Sequence, residues 1–154
     1  MKSNILSLTL AAALALAAPF AFAGVDTATD DNDVILAGYD AVAYFRQSKA
    51  VLGSAEFTAQ HGGAVYRFAS ADHRDAFRAN PSKYAPAYGG FCALATKFGK
   101  KVPVDGKAFE VVEGRLYVNK DVNVYKKWKQ DIPNNIVKAE GQWPIIKGVA
   151  AEDL

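Results

Sequence analysis

A single cysteine, Cys92, stands in a chain of 154 residues, and it rules out the usual way for a small exported protein to hold its shape. One thiol cannot close an intramolecular disulfide, so the fold has to be held by its hydrophobic core. Export is what the N-terminus predicts. Lys2 gives a basic start, an apolar run from Ile5 to Ala18 follows, and Ala21-Phe22-Ala23 before Gly24 forms a small-residue cleavage site. The apolar run is shorter than the roughly 20 residues a bilayer span needs and runs into Pro19, which points to a cleaved signal peptide over residues 1–23 and not to an anchor. The expected address is the periplasm or the medium beyond it, with no membrane attachment after cleavage. In such an oxidising compartment Cys92 is buried and inert, bound to something, or paired between chains.

Hydrophobic residues make up 51% of the sequence and aromatics 12%, enough for a globular core. The formal charge is +2 and falls further when Lys2 leaves with the signal peptide, so no strong field exists to recruit nucleic acid or an anionic surface. Residues 24–154 have the size of one domain. The acidic stretch from Gly24 to Asp33 reads as a flexible lead-in, residues 34–146 as the folded domain, and residues 147–154 as a C-terminal tail.

The order of local signals predicts a small α+β domain with two β-hairpins and several short helices. Val34 to Phe45 is dense in apolar side chains, is broken by Gly38 and Asp40, and should be core. Glu56 to Gln60 and Ala64 to Ala69 read as strands joined at His61-Gly62-Gly63. Ser70 can cap a helix from Ala71 to Ala79 that Asn80-Pro81 ends, and on it His73 shares a face with Phe77 and points towards the core. A short turn or helix over Pro81 to Ala87 follows. Phe91, Leu94, Ala95 and Phe98 have the spacing of a buried helical stripe, with Cys92 at the start of that helix. Ala108 to Val112 and Arg115 to Asn119 flank Glu113-Gly114 as a second hairpin. Asp121 to Gln130 has a helical period, Pro133 can open a last helix to about Gly141, and Trp143 to Ile146 then closes the core.

The chemistry available to such a domain is narrow. His61 and His73 are the only histidines, and with Cys92 they are the full set of soft ligands, because the lone methionine is Met1. Cys92 follows Gly89-Gly90 at a helix start, where the dipole favours a thiolate, and a thiolate is both nucleophile and soft metal ligand. Each residue also has a plainer reading: Cys92 as a small core side chain, His73 as a core histidine bonded to backbone, His61 as a turn residue. No phosphate loop, nucleophile elbow, CxxC or closely spaced histidine pair is present, so nothing points to an enzyme, a nucleotide or an organic cofactor. The basic and aromatic run Lys126-Lys127-Trp128-Lys129 reads as the solvated side of an amphipathic helix.

The run Phe68-Ala-Ser-Ala-Asp-His-Arg-Asp-Ala-Phe77, followed by Asn80-Pro81-Ser-Lys-Tyr84, resembles the YHS domain pattern. Gly38-Tyr39-Asp40-Ala-Val-Ala-Tyr-Phe45, His61-Gly62, Tyr84-Ala-Pro-Ala-Tyr-Gly-Gly-Phe-Cys-Ala93 and Trp143-Pro144 resemble its secreted, stand-alone branch. The resemblance spans about Val34 to Ile146 and implies a treble-clef-like core and an association with metal handling. The chain departs from the pattern at the ligands: Ala69 replaces the first cysteine of the Phe-Cys-Ser-x-x-Cys core, His73 replaces the second, and the upstream cysteine pair is absent. A Cys₄ structural zinc site is therefore excluded. What the resemblance leaves open is a non-enzymatic metal carrier or sensor in which His73 and Cys92 hold Cu(I), or Zn(II) as the second choice. His61 is a possible third ligand, Asp72, Tyr66 or Tyr88 would orient the imidazole, and a periplasmic metal or redox protein would be the partner. Two alternatives stand beside it: a thiol-redox protein in which His73 activates Cys92, and a structural or interaction domain whose metal site has decayed.

Overall fold

Two tight turns set the architecture, which a computed structural model describes for residues 25–154. The signal peptide expected over residues 1–23 lies outside the described residues. Gly62 and Gly63 both take positive φ, 59° and 78°, and Glu113 and Gly114 do the same at 50° and 76°. Two consecutive left-handed residues give the turn whose twist matches that of paired strands. Each therefore closes an antiparallel hairpin: β1 (Ser54–His61) with β2 (Ala64–Phe68), and β3 (Phe109–Val112) with β4 (Arg115–Val118). A bulge between Ser54 and Thr58 interrupts the first ladder. Both expected hairpins are present, and the domain is α+β as its sequence predicts.

Among the described residues six α-helices surround the hairpins: α1 (Ala41–Arg46), α2 (Ala71–Ala79), α3 (Pro81–Tyr84), α4 (Ala93–Thr96), α5 (Val122–Trp128) and α6 (Ile132–Ile146). Asp40, Ser70, Asn80, Asp121 and Asp131 each accept a backbone N–H at a helix start. Such caps satisfy orphan donors and fix where the helix begins.

The alternation of β4 divides the interior. Leu116 and Val118 face one core, with Ile35, Leu36, Val42, Tyr44, Phe68 and Phe77, while Tyr117 faces a second, with Tyr88, Ala93, Trp128 and Ala139. Successive side chains of a strand point to opposite faces, so a four-residue strand serves as a wall common to both cores.

Two expectations are corrected. The stripe Phe91, Leu94, Ala95 and Phe98 is not a buried helical face: α4 has only four residues, and Phe98 is 66% exposed. The helix ends at Thr96 and a turn through Gly99, with φ 70°, follows, so the period has no helix to run along. The last helix does not stop near Gly141 but runs through it and through Pro144 to Ile146. Trp143 packs against Tyr88 and Phe91, and Ile146 is buried, so tertiary packing outweighs the helix-breaking residues. Ahead of the first helix, Ala28 N–H donates to the Gly89 carbonyl, and Asp30 accepts from Asn32 and Val34.

Candidate functional site

His73 reaches its position through local signals. Ser70 Oγ accepts the His73 N–H at 3.2 Å and starts α2, and one turn on from His73, Phe77 is fully buried in the first core. The imidazole is thus carried inward, where it is 8% exposed. Its Nδ1 lies 2.7 Å from Oδ2 of Asp40, a residue with no solvent exposure at all. The same oxygen accepts the Ala69 N–H at 2.9 Å, and Oδ1 accepts from Val42 and Ala43 at 2.8 and 3.1 Å.

Four donors converge on one carboxylate. A buried carboxylate without partners is costly, whereas both oxygens of Asp40 are engaged by N–H donors. Where the carboxylate accepts from the ring, the shared proton of His73 lies on Nδ1, and Nε2 has no hydrogen-bond partner among the described residues. The hub joins the start of α1, the residue after β2 and the first turn of α2. Asp72, expected to orient the imidazole, instead pairs with Arg46 at the surface, its side chain 83% exposed. Asp40 has that role.

Cys92 stands elsewhere in the fold. It is the residue before α4, is 1% exposed, and its Sγ lies 3.7 Å from Oδ1 of Asn119, which also accepts the Leu94 N–H at 3.2 Å. Burial pushes the thiol pKa up, against the hydrogen bonds from neighbouring backbone groups. The thiolate expected from a helix dipole is not favoured, because a one-turn helix adds little field and desolvation dominates. Asn119 Nδ2 is buried and has no hydrogen-bond partner among the described residues.

His61 ends β1, its ring edge-on to Phe77 at 6.0 Å and tilted against Tyr66 at 6.5 Å. Tyr88 donates to Glu140. The hydrogen-bonding partners of His73 and those of Cys92 have no residue in common. Among the described residues no three His, Cys, Asp or Glu side chains group so that they could hold a metal ion, so His61, His73 and Cys92 do not form a joint three-ligand centre.

Three recesses stand out on the described surface: one of about 320 Å³ follows the first hairpin turn, lined by Gln60, His61, Gly62 and Gly63 with their neighbours, and the other two differ in character. The larger, about 530 Å³, is mainly apolar, is lined by Val25, Val34, Phe91, Val104 and Ala150 among others, and includes none of the three expected ligands. The smaller, about 270 Å³, lies where the two cores meet and is lined by His61, Tyr66, Tyr88, Arg115, Trp143 and Lys147 with their neighbours. It brings together three residues singled out from the sequence, His61, Tyr66 and Tyr88, without His73 or Cys92.

Fold and hub together define a small α+β domain held by buried hydrogen bonds and not by sulfur. No family model, curated protein or solved structure matches the chain.

Asp40 escaped the sequence reading because its main partners lie 29 and 33 residues away. One local signal was there to find. An Asp directly before the apolar run Ala41-Val42-Ala43-Tyr44 is a helix cap, and a cap flanked by apolar residues must be buried.

Proposed function

We propose that the chain is a non-enzymatic, exported binding domain on a YHS-like frame, in which a carboxylate hub occupies the place that a metal takes in cysteine-rich relatives. The observation that supports this reading is the convergence of Ala69 N–H and His73 Nδ1 on one oxygen of Asp40. Under the resemblance, positions 69 and 73 are those of two cysteine ligands. Thiolates there would turn towards a cation. A backbone N–H and an imidazole N–H turn towards an anion, and Asp40 supplies it. The polarity of the centre is inverted while its task, tying separate segments together, is kept. Residues 1–23 support the exported address. Recognition is then the work of the surface, and the cleft between the two cores is where polar and aromatic groups gather.

Native mass spectrometry of the mature protein, purified with and without added copper or zinc, tests this reading. The expected result is a metal-free folded protein whose melting temperature is unchanged by EDTA. Stoichiometric metal, or unfolding by the chelator, contradicts it.

A second reading has one observation in its favour. A histidine whose Nδ1 donates to a carboxylate and whose Nε2 is free has the arrangement of many metal-ligating histidines. In that reading His73 Nε2 would contribute one ligand to a Cu(I) or Zn(II) site of a carrier or sensor. Metal uptake that His73→Ala abolishes and Cys92→Ala leaves intact would favour it. The thiol-redox reading has less support, because Cys92 is buried with a raised pKa and a redox thiol must be exposed and low in pKa.

A further inference from the structure

The cleft at the junction of the two cores is rich in donors that the fold leaves unused. Tyr66 is only 3% exposed and lines the cleft, yet no protein group among the described residues hydrogen-bonds to its hydroxyl. Burial holds that phenol well above its ordinary pKa, so it stays a donor. A hydroxyl there is open to an acceptor that enters the cleft.

Arg115 stands on the other wall. Its guanidinium carbon lies 5.6 Å from the centre of the Tyr88 ring and 5.7 Å from that of Tyr117, and one terminal nitrogen is bonded to Glu140. Guanidinium has five N–H donors, so most remain free on a group already fixed by two rings. Lys147 adds a second cation at the rim, 3.9 Å from Asp26, which is the one acid lining the cleft. Arg115 keeps N–H donors beyond its bond to Glu140, and a ligand with acceptor atoms would use them. The two cations are each matched by a nearby acid, which favours a monoanion over a dianion.

The rest of the wall is apolar. Trp143 and Tyr88 pack tilted at 59° with ring centres 6.0 Å apart, and Pro86 and Ile35 complete the surface. The volume of about 270 Å³ is just below the roughly 300 Å³ at which drug-sized sites begin, so the space suits a single ring.

We propose that this cleft binds a small aromatic monocarboxylate, its ring against Trp143 and Tyr88, its carboxylate on Arg115, and the Tyr66 hydroxyl as a further donor. The proposal rests on reading the chain as a binding domain, and it names the ligand class for that reading.

Isothermal titration of the mature protein with benzoate, benzyl alcohol and inorganic phosphate, in buffer containing EDTA, tests it. Benzoate is expected to bind at a Kd of about 1 mM or tighter, within reach of a single-ring ligand. Benzyl alcohol keeps the ring without the charge, phosphate keeps charge without the ring, and each should bind at least about 10-fold more weakly. Tyr66→Phe, which removes one oxygen and leaves the packing, should weaken benzoate about 3- to 10-fold, and Arg115→Gln by about 10-fold or more. No saturable benzoate binding overturns the proposal, as does equal binding by benzyl alcohol or phosphate, or affinity that Tyr66→Phe leaves unchanged. Because EDTA is present throughout, the two readings fail separately. A folded protein that ignores benzoate sinks the cleft alone, whereas one that unfolds in EDTA sinks the hub reading.

Discussion

Asp40 and His73, 33 residues apart in the chain, meet at 2.7 Å in the interior, and the same carboxylate oxygen takes the Ala69 N–H. This contact decides how the first half of the domain is assembled. Asp40 caps α1 with one oxygen and gathers the end of β2 and the first turn of α2 with the other. Without it three backbone N–H groups and an imidazole N–H would be left in a low-dielectric interior, where each unmet donor costs about 1–3 kcal/mol.

Cys92 should behave as a core side chain. With its pKa raised by burial, the thiol stays neutral in the fold, while the unfolded thiol titrates at about 8.5. Its contribution to stability is therefore fully present below that value and is lost as pH rises through the folded pKa. Thiol labelling of the native protein at about pH 8 should be slower than that of the urea-unfolded chain by about 100-fold or more. Cys92→Ala should flatten the alkaline limb of a stability-versus-pH curve. Native labelling at the unfolded rate contradicts this assignment.

Lys101 should fasten both ends of the described chain. The residue is 5% exposed, and its ammonium donates to the carbonyls of Val25, Lys147 and Val149 at 2.6, 2.8 and 2.6 Å, beneath the rings of Phe91 and Trp143. Lys101→Met keeps the stem and removes the donors, at an expected cost of about 2–4 kcal/mol in urea unfolding. Hydrogen exchange should quicken together in residues 25–30 and 147–153. A loss below about 0.5 kcal/mol with unchanged exchange would show that the carbonyls do not depend on Lys101.

The glycines offer a paired test of the docked lead-in. At Gly89, φ is 59° and an added Cβ would lie 1.8 Å from the Asp26 carbonyl oxygen; at Gly62, φ is also 59° but nothing lies within 4 Å. Gly62→Ala therefore pays only the left-handed backbone penalty, about 1–2 kcal/mol. Gly89→Ala adds the collision and should cost at least about 2 kcal/mol more, or expel residues 25–28 from their place. Equal effects on the melting temperature would mean that the lead-in does not pack there in solution.

What could be read in the sequence was what is local. Ser70, the Gly62-Gly63 and Glu113-Gly114 turns, and Asp121 act within a few residues of themselves, and the elements they mark are all present. The Phe91 to Phe98 stripe misled because four residues match a helical period whether or not a helix lasts long enough to use it. Lys101 was not foreseen as a buried residue, since its three acceptors come from segments 46 or more residues distant. The hub is half visible in the sequence: the spacing of His73 and Phe77 turns the imidazole inward, but Asp72, Tyr66 and Tyr88 are the partners the sequence suggests, and Asp72 lies on the same helix. Helical geometry sends that neighbour to solvent, and the carboxylate comes from another element.

The central claim is that Asp40 and His73 hold the frame together as a hydrogen-bonded pair, without metal. A double-mutant cycle on Asp40→Asn and His73→Ala, measured by urea unfolding in EDTA, tests it most directly. Asn at position 40 keeps the cap on α1 but presents an amide where two donors point, so the single variant should lose about 2–3 kcal/mol. The account predicts a coupling energy between the two sites of about 1 kcal/mol or more, unchanged when zinc or copper replaces the chelator. Additive losses, or a coupling that exists only with metal, would contradict it.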